Sequence, residues 1–394
     1  MRPLRHLVVA LAPAFALAIL LSPVDLRAAE MNGTVSVVGM DPLTGEMGVA
    51  VLSHTPACGN EVPWVQAGVG AVATLGESNA DWGPRILGLL REGLSAAQAV
   101  DSMTKLDPHL QRRQVGVIDR NGKPGGYTGL ECLYWSGGVI DNHVAAQGNF
   151  LKGHESLQAI YDSFKSSVGS STPLAERLLS ALRAGEAQGG DRRGARSGAL
   201  LVGRPSSDRL DYLSRFIYLR VDDASDPLAE LDRLYRAYAA TRLLEAHLHY
   251  ADSYRKGGAA AAERLKKEEE RANAIVEQTL GDKEATAPML NAVAWQLAQR
   301  GMMLDRAQTA ADRALKLQPE NPEILDTIAE VRLRQGRTAD ALTVAKQAAA
   351  LEPRDEYLAA RVKAIEKAAA GAPRAPAPKS ASGSKGGKSG SAGK

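Results

Sequence analysis

Cysteine is almost missing from this chain of 394 residues, which has only Cys58 and Cys132. Neither stands in a zinc-binding spacing. Histidine gives no metal site either: His143 and His154 lack ligand spacing, while His247 and His249 sit two apart on a predicted helix and face different ways. No glycine-rich nucleotide loop is present, so no cofactor is expected. A basic excess is also lacking where it would matter. The net charge is +3, but the segment after residue 370 holds Arg374, Lys379, Lys385, Lys388 and Lys394 with no acid, and the first 28 residues add Arg2, Arg5 and Arg27 against Asp25. Taking away +5 and +2 leaves the body at about −4, which gives no reason to expect nucleic acid as a partner.

Long apolar runs are absent but for one, "LVVALAPAFALAILL" at 7–21. It is shorter than the ~20 residues of a membrane-spanning helix, and Pro13 interrupts it. With Arg2 and Arg5 before it and the small pair Ala28-Ala29 after it, it reads as a signal peptide over 1–29, and no cysteine follows to take a lipid. The expected product is exported, periplasmic or secreted, with no integral membrane span after cleavage. In an oxidising compartment Cys58 and Cys132 would either form a disulfide or stay as two buried thiols.

The body opens with a predicted hairpin, "TVSVV" and "MGVAVLS", turning at "DPLTGE". A second pair fills 62–74, with Ala67-Gly68 at its turn. Helices follow at 82–93 and 95–106, the latter with Ser95 as N-cap. Strands return at 113–129, turning at Asn121-Gly122, and at 139–149. Two helical stretches, about 153–166 and 172–187, precede strands at 197–204 and 214–223. This order fits an α/β (α+β) four-layer sandwich, two antiparallel sheets face to face with helices outside. A one-sheet α+β sandwich would give a similar string.

From about 226 the pattern is helical, with Leu228, Leu231, Leu234, Tyr235 and Tyr238 at helical spacing. A repeat then appears. Pro319 and Pro353 lie 34 residues apart, as do Ala307 and Ala341, Ala311 and Ala345, and Ala314 and Ala348. That period, with small residues where helices meet, resembles the tetratricopeptide repeat, although Trp295 and Ala329 stand where the repeat has its position-eight glycine. The expected domains are 1–29 (signal), 30–240 (sandwich), 241–286 (helical linker), 287–370 (all-α tetratricopeptide-like repeats with a capping helix over 357–369) and 371–394, a disordered basic tail. Such repeats present a concave surface suited to a protein partner. The tail reads as a solvated charge run, or as one that favours anionic envelope polymers or lipids.

Thr34 carries the chemical question. A threonine hydroxyl is a weak nucleophile without a base. An N-terminal threonine supplies its own, the free α-amine, whose ordinary pKa is near 7.7–8.0. The plain alternative is that threonine is common in strands.

The ordered motifs "TVSVVGMDPLTGEMGVAV", "VPWVQAGVGAVAT", "AAQGNFL", "GGDRRGARSGALLV" and "YLRVDD" resemble the bacterial family known as domain of unknown function 1028, over about residues 33–240. The resemblance implies the fold of the N-terminal-nucleophile hydrolases. Family members typically begin Met-Thr before the first strand, and Thr34 holds that position here. The family has no assigned reaction, so the resemblance implies a fold before an activity. Gly33-Thr34 is a junction of the kind self-cleaving enzymes of this class use.

Other candidates follow from location. Gln147 and Asn149 in "QGN" offer amides to an oxyanion or a substrate amide, or else close a turn. Asp191, Arg193 and Arg196 in "GGDRRGARS" suit binding of a carboxylate or phosphate, or form a structural pair. Family members often have glutamine at the Arg196 position. Asp222 and Asp223 are expected to cap the next helix, the alternative being to bind a substrate amine or a metal. Ser53 and His54, adjacent on a strand, point to opposite faces and cannot form a dyad. Two functions remain open: an exported amidohydrolase with Thr34 as nucleophile and Asn149 among the oxyanion donors, acting on a small amide substrate; or a non-catalytic ligand-binding or scaffold protein of the cell envelope. The repeats recruit a protein under either.

Overall fold

A computed structural model describes residues 33–205 and 215–371. The leader at 1–29 and the tail beyond Gly371 lie outside the described residues. The chain divides into two compact units between Tyr235 and Arg236.

Among the described residues of the first unit, ten strands form two antiparallel sheets. The six-stranded sheet contains β1 (Thr34–Met40), β2 (Met47–Ser53), β7 (Trp135–Asp141), β8 (Val144–Leu151), β9 (Ser197–Gly203) and β10 (Arg215–Val221), in the order β10-β9-β2-β1-β8-β7. The four-stranded sheet runs β3 (Pro63–Gln66), β4 (Gly70–Gly76), β5 (Arg113–Asp119), β6 (Pro124–Thr128). β1 is therefore central, and every residue in it is buried.

Alternation along β1 sets up two apolar layers. Val38 and Met40 join Val49, Val51, Ala145 and Ala199 of their own sheet and Ala71, Ala73, Leu75 and Ile118 of the other in one core cluster. Gly39, on the opposite face, lies against Phe164 and Leu178. Those two belong to α3 (Glu155–Ser166) and α4 (Leu174–Ala187), which cover the six-stranded sheet. The four-stranded sheet is covered by α1 (Trp82–Arg91) and α2 (Ala96–Thr104), through Val72, Val115, Val117, Ile86, Leu90 and Met103. Ser95 caps α2 in a reciprocal capping box with Gln98.

The structure departs from the expected pattern at two places, while the cysteines take the second of their two expected states. Residues 139–149 are not one strand: Asp141 pairs with Val144, and the chain reverses through Asn142-His143, with His143 in the left-handed region at φ 72°. Asp222 and Asp223 do not cap the next helix. Asp222 pairs with Arg220 and Asp223 with Arg196, while Asp226 accepts from Ala229 N–H at the start of α5 (Pro227–Tyr238). Cys58 and Cys132 are free thiols, buried in separate clusters. Burial pushes the Cys58 thiol up to about 12 and that of Cys132 to about 11.

The described residues of the second unit form helices and no strand. A π turn (Ala239–Leu243) leads into α6 (Leu244–Lys256), which packs on α7 (Ala262–Gly281). Then come α8 (Ala287–Arg300), α9 (Leu304–Leu317), α10 (Pro322–Arg334), α11 (Thr338–Leu351) and α12 (Glu356–Gly371). α8 packs on α9 and α10 on α11. The alanines at the repeat period, Ala307 with Ala341, Ala311 with Ala345 and Ala314 with Ala348, are all buried, so the sequence period is a packing period. Gly301 and Gly336 close the first helix of each pair in the left-handed conformation that glycine adopts without strain. Among the described residues no helix is long and apolar enough to cross a membrane.

Gly116 of β5 leaves the space that a side chain of the other sheet fills, because a Cβ there would fall on the Gln147 side-chain amide of β8. Gly116→Val should lower unfolding stability by about 1–3 kcal/mol, the usual cost of overpacking, in a denaturant titration.

Candidate active site

The register of the six-stranded sheet lines up four polar residues across four strands. Thr34 lies opposite Ser53 on one side and Asn149 on the other, and Ser53 lies opposite Ser197. All four are 0–1% exposed. They share the face that, further along, forms the core between the sheets, so the row sits at the polar end of an apolar layer.

Buried polar groups need partners, and here Ser53 connects them. Its hydroxyl donates to the Gly33 carbonyl at 2.9 Å, accepts from Thr55 N–H at 3.1 Å and lies 3.1 Å from Thr34 Oγ1. The Gly33 carbonyl also accepts from His54 N–H at 2.9 Å. Two donors thus converge on the carbonyl that precedes Thr34. Ser197 Oγ donates to Thr55 O at 2.6 Å and accepts from Cys58 N–H at 3.3 Å, which fixes the segment behind Ser53.

On the other flank, Asn149 Nδ2 donates to Gln114 Oε1 at 2.9 Å, across to the second sheet. Gln114 Nε2 is in turn within reach of Gly148 O at 2.9 Å and Gly137 O at 3.0 Å. One row further in, Gln147 Nε2 donates to Ser36 Oγ at 2.7 Å. The side-chain oxygens of Asn149 and Gln147 are both buried without a hydrogen-bond partner.

A third element closes over Gly33. The loop after α4 brings Asp191 and Arg193 so near that a Cβ at Gly33 would strike both. Asp191 accepts from Arg193 N–H at 2.8 Å and from its Nε at 3.3 Å. The Arg193 guanidinium lies 3.9 Å from the Phe150 ring centroid, and Arg192 lies 4.4 Å from that of Tyr134. Tyr134 and Phe150 pack at 5.0 Å, and both hold left-handed backbones, φ 56° and 57°. Bulky residues rarely adopt that conformation, and it tends to occur at functional sites.

Thr34, Asn149, Asp191 and Arg193 are therefore gathered around the Gly33-Thr34 bond or in line with it, and Gln147 lies one row deeper. Arg196 is engaged differently. Its guanidinium forms an exposed fork with Asp223, at 3.1 and 2.8 Å, while its backbone N–H holds Ser53 O at 2.8 Å. Sequence reasoning missed Ser53, Gln114, Phe150 and Tyr134. Ser53 had a signal: a hairpin turning over Asp41–Glu46 pairs Met40 with Met47, and counting back pairs Thr34 with Ser53. Among the described residues no group of three or more His, Cys, Asp or Glu is placed to hold a metal ion.

Comparison with known proteins identifies the sheet-containing unit. Residues 34–231 match the model of the family of unknown function DUF1028, and the chain belongs to that family. A crystal structure of a protein of the same family from Silicibacter pomeroyi is similar, at 30% identity over 52% of this chain and 89% of its own, with a TM-score of 0.47. Two tetratricopeptide domains are more distantly similar. The second such domain of human RPAP3 shows 14% identity over 34% of this chain and 96% of its own (TM-score 0.24), and that of Arabidopsis OM64 shows 16% over 31% and 98% (TM-score 0.23). No curated protein matches the chain.

The carboxyl of Glu186, near the end of α4, is pushed up to about 6 by burial first, then by the charges of Asp191 and Asp226. The folded state thus holds this proton more tightly than the unfolded chain, whose carboxyl titrates near the ordinary 4.5. Its contribution to stability is full below pH 4.5 and is lost as pH rises through about 6. Glu186→Gln should remove this loss, so that the stability difference between variant and wild type grows across that window in chemical unfolding at a series of pH values.

Proposed function

We propose that the chain is an exported amidohydrolase of the N-terminal-nucleophile type, with Thr34 as nucleophile and the helical unit as a tetratricopeptide-like module that recruits a protein. The observation that carries this reading is the grip of Ser53 Oγ and His54 N–H on the Gly33 carbonyl, beside the Thr34 hydroxyl. Two donors at one carbonyl oxygen favour the charge that develops there when a nucleophile adds to its carbon.

In this reading the chain first acts on itself. Thr34 Oγ adds to the Gly33 carbonyl carbon, the C–N bond breaks, and the acyl group passes to oxygen as the nitrogen takes up a proton. Water then hydrolyses the ester, freeing Thr34 with an α-amine. On a substrate amide, that amine takes the hydroxyl proton as Oγ attacks, returns it to the leaving nitrogen, and later activates the water that hydrolyses the acyl-enzyme. Asn149 belongs among the oxyanion donors through the amide hydrogen that Gln114 does not take. Gln147 joins the site one row deeper. Arg193, held by Asp191, anchors an acidic substrate group, with Arg196 as a more distant second. A small amide substrate, peptide or cell-wall-derived, fits the exported location. The two-sheet unit is then the four-layer sandwich of this enzyme class.

A second reading, a non-catalytic ligand-binding or scaffold protein of the cell envelope, draws on the burial of Thr34, which is 1% exposed. A hydroxyl-directed β-lactone probe separates the two. The enzyme reading expects one acylated site, the Thr34 hydroxyl, abolished by Thr34→Ala, and release of the preceding segment slowed about 10²-fold or more by Ser53→Ala. Equal labelling of Thr34→Ala, or no labelling of a chain that begins at Thr34, would favour the scaffold.

A further inference from the structure

The helical unit contains a cavity that the reading above does not use. It has a volume of about 440 Å³ and is walled by Trp295 of α8, the start of α10 and the start of α12. Two aromatic rings, Trp295 and Tyr357, line it together with the carboxylates of Glu323, Asp326, Glu352 and Asp355. Trp295 is the residue that stands where the repeat has a glycine, so the departure from the repeat pattern forms part of the wall.

The four acids are not equivalent. Asp326 is buried and neutralised: it accepts from Arg361 Nε at 2.9 Å and from the Tyr357 hydroxyl at 2.9 Å. Asp355 accepts from Leu358 N–H at 3.0 Å as the cap of α12. For Glu323, Glu352 and Asp355, no Lys or Arg among the described residues forms an ion pair. Asn291 Oδ1, also in the lining, is buried without a hydrogen-bond partner. The cavity therefore offers three carboxylates without counter-charge beside two aromatic rings. An ammonium group meets all of these at once, through charge, hydrogen bonds and cation–π contact.

We infer that the occupant is the chain's own basic tail, with lysines from Lys379 onward entering the cavity and closing it to other basic segments. The reach is sufficient. From Gly371 back to Tyr357 along α12 is about 21 Å at the helical rise, whereas Lys379, eight residues beyond Gly371, has a reach of about 26 Å. Lys385, Lys388 and Lys394 lie further along. The tail has no acidic side chain to compete for its lysines; Pro373, Pro376 and Pro378 lead to Lys379, and glycines and serines follow from Ser380. Covalent attachment at this length raises the concentration of those lysines at the cavity to about millimolar. A contact far too weak to matter between separate molecules is then populated. The tail thereby acts as a tethered competitor that sets a threshold for any basic partner of this surface. This holds whether or not Thr34 is a nucleophile.

Zero-length carbodiimide coupling on the full chain tests the inference, with normal and 15N-labelled protein mixed so that links within and between chains are distinguished by mass. Tail lysines should couple within one chain to Glu323, Glu352 or Asp355, about fivefold or more in excess of coupling to the exposed Glu263 and Glu284. That excess should fall about fivefold in 0.5 M NaCl. The double variant Glu323→Gln, Glu352→Gln should lose it while keeping its helical circular dichroism, since both side chains are exposed. Even coupling over all exposed carboxylates would overturn the inference. So would coupling mainly between chains, which would assign the cavity to a basic segment of a second molecule.

Discussion

The buried hydroxyl of Ser53 is the interaction on which the site depends. It lies at the end of β2, opposite the first residue of the central strand, and holds the Gly33 carbonyl while touching the Thr34 hydroxyl. A buried donor or acceptor left unpaired costs about 1–3 kcal/mol. The serine therefore fixes the backbone at the Gly33-Thr34 junction as firmly as it serves any chemistry there. The rest of the row follows: Ser197 holds the segment behind Ser53, and Asn149 ties the row to Gln114 of the opposite sheet.

Two sheets are needed to make such a row. One face of β1 meets the helices and the other meets the second sheet, so polar residues on that second face have no solvent to turn to. In the middle of the sheet the face is Val38, Val49 and Ala145, and it packs as ordinary core. Toward the end it becomes Ser36 and Gln147, then Thr34, Ser53 and Asn149. The same strand thus stabilises the fold at one end and concentrates polar chemistry at the other. Asp191 and Arg193 close over Gly33, and a side chain there would have to displace the ends of theirs.

Much of this arrangement was legible in the sequence, for identifiable reasons. The hairpin turning at Asp41–Glu46 announces itself by alternation and turn residues, and the 34-residue alanine period announces the packed helix pairs. The turn at Asn142-His143 was overrun: Asp141 and Asn142 are turn formers, but the strand-like residues on either side continue the pattern across them. Ser53 was readable by counting through the hairpin. Gln114 was not, since it arrives from another sheet and nothing local marks the approach. The strained backbones of Tyr134 and Phe150 likewise leave no trace in residue type. Arg196 looked like a site arginine from its glycine-rich loop, yet it spends its guanidinium on Asp223, far along the chain.

Fold and family do not by themselves make an enzyme, and the account turns on whether Thr34 is ever released. Intact mass and N-terminal sequencing of the purified protein decide it. The account predicts a chain beginning at Thr34, with its amine free to serve as base. A homogeneous chain beginning at Ala29 or Glu30 would leave that nitrogen acylated and would contradict it.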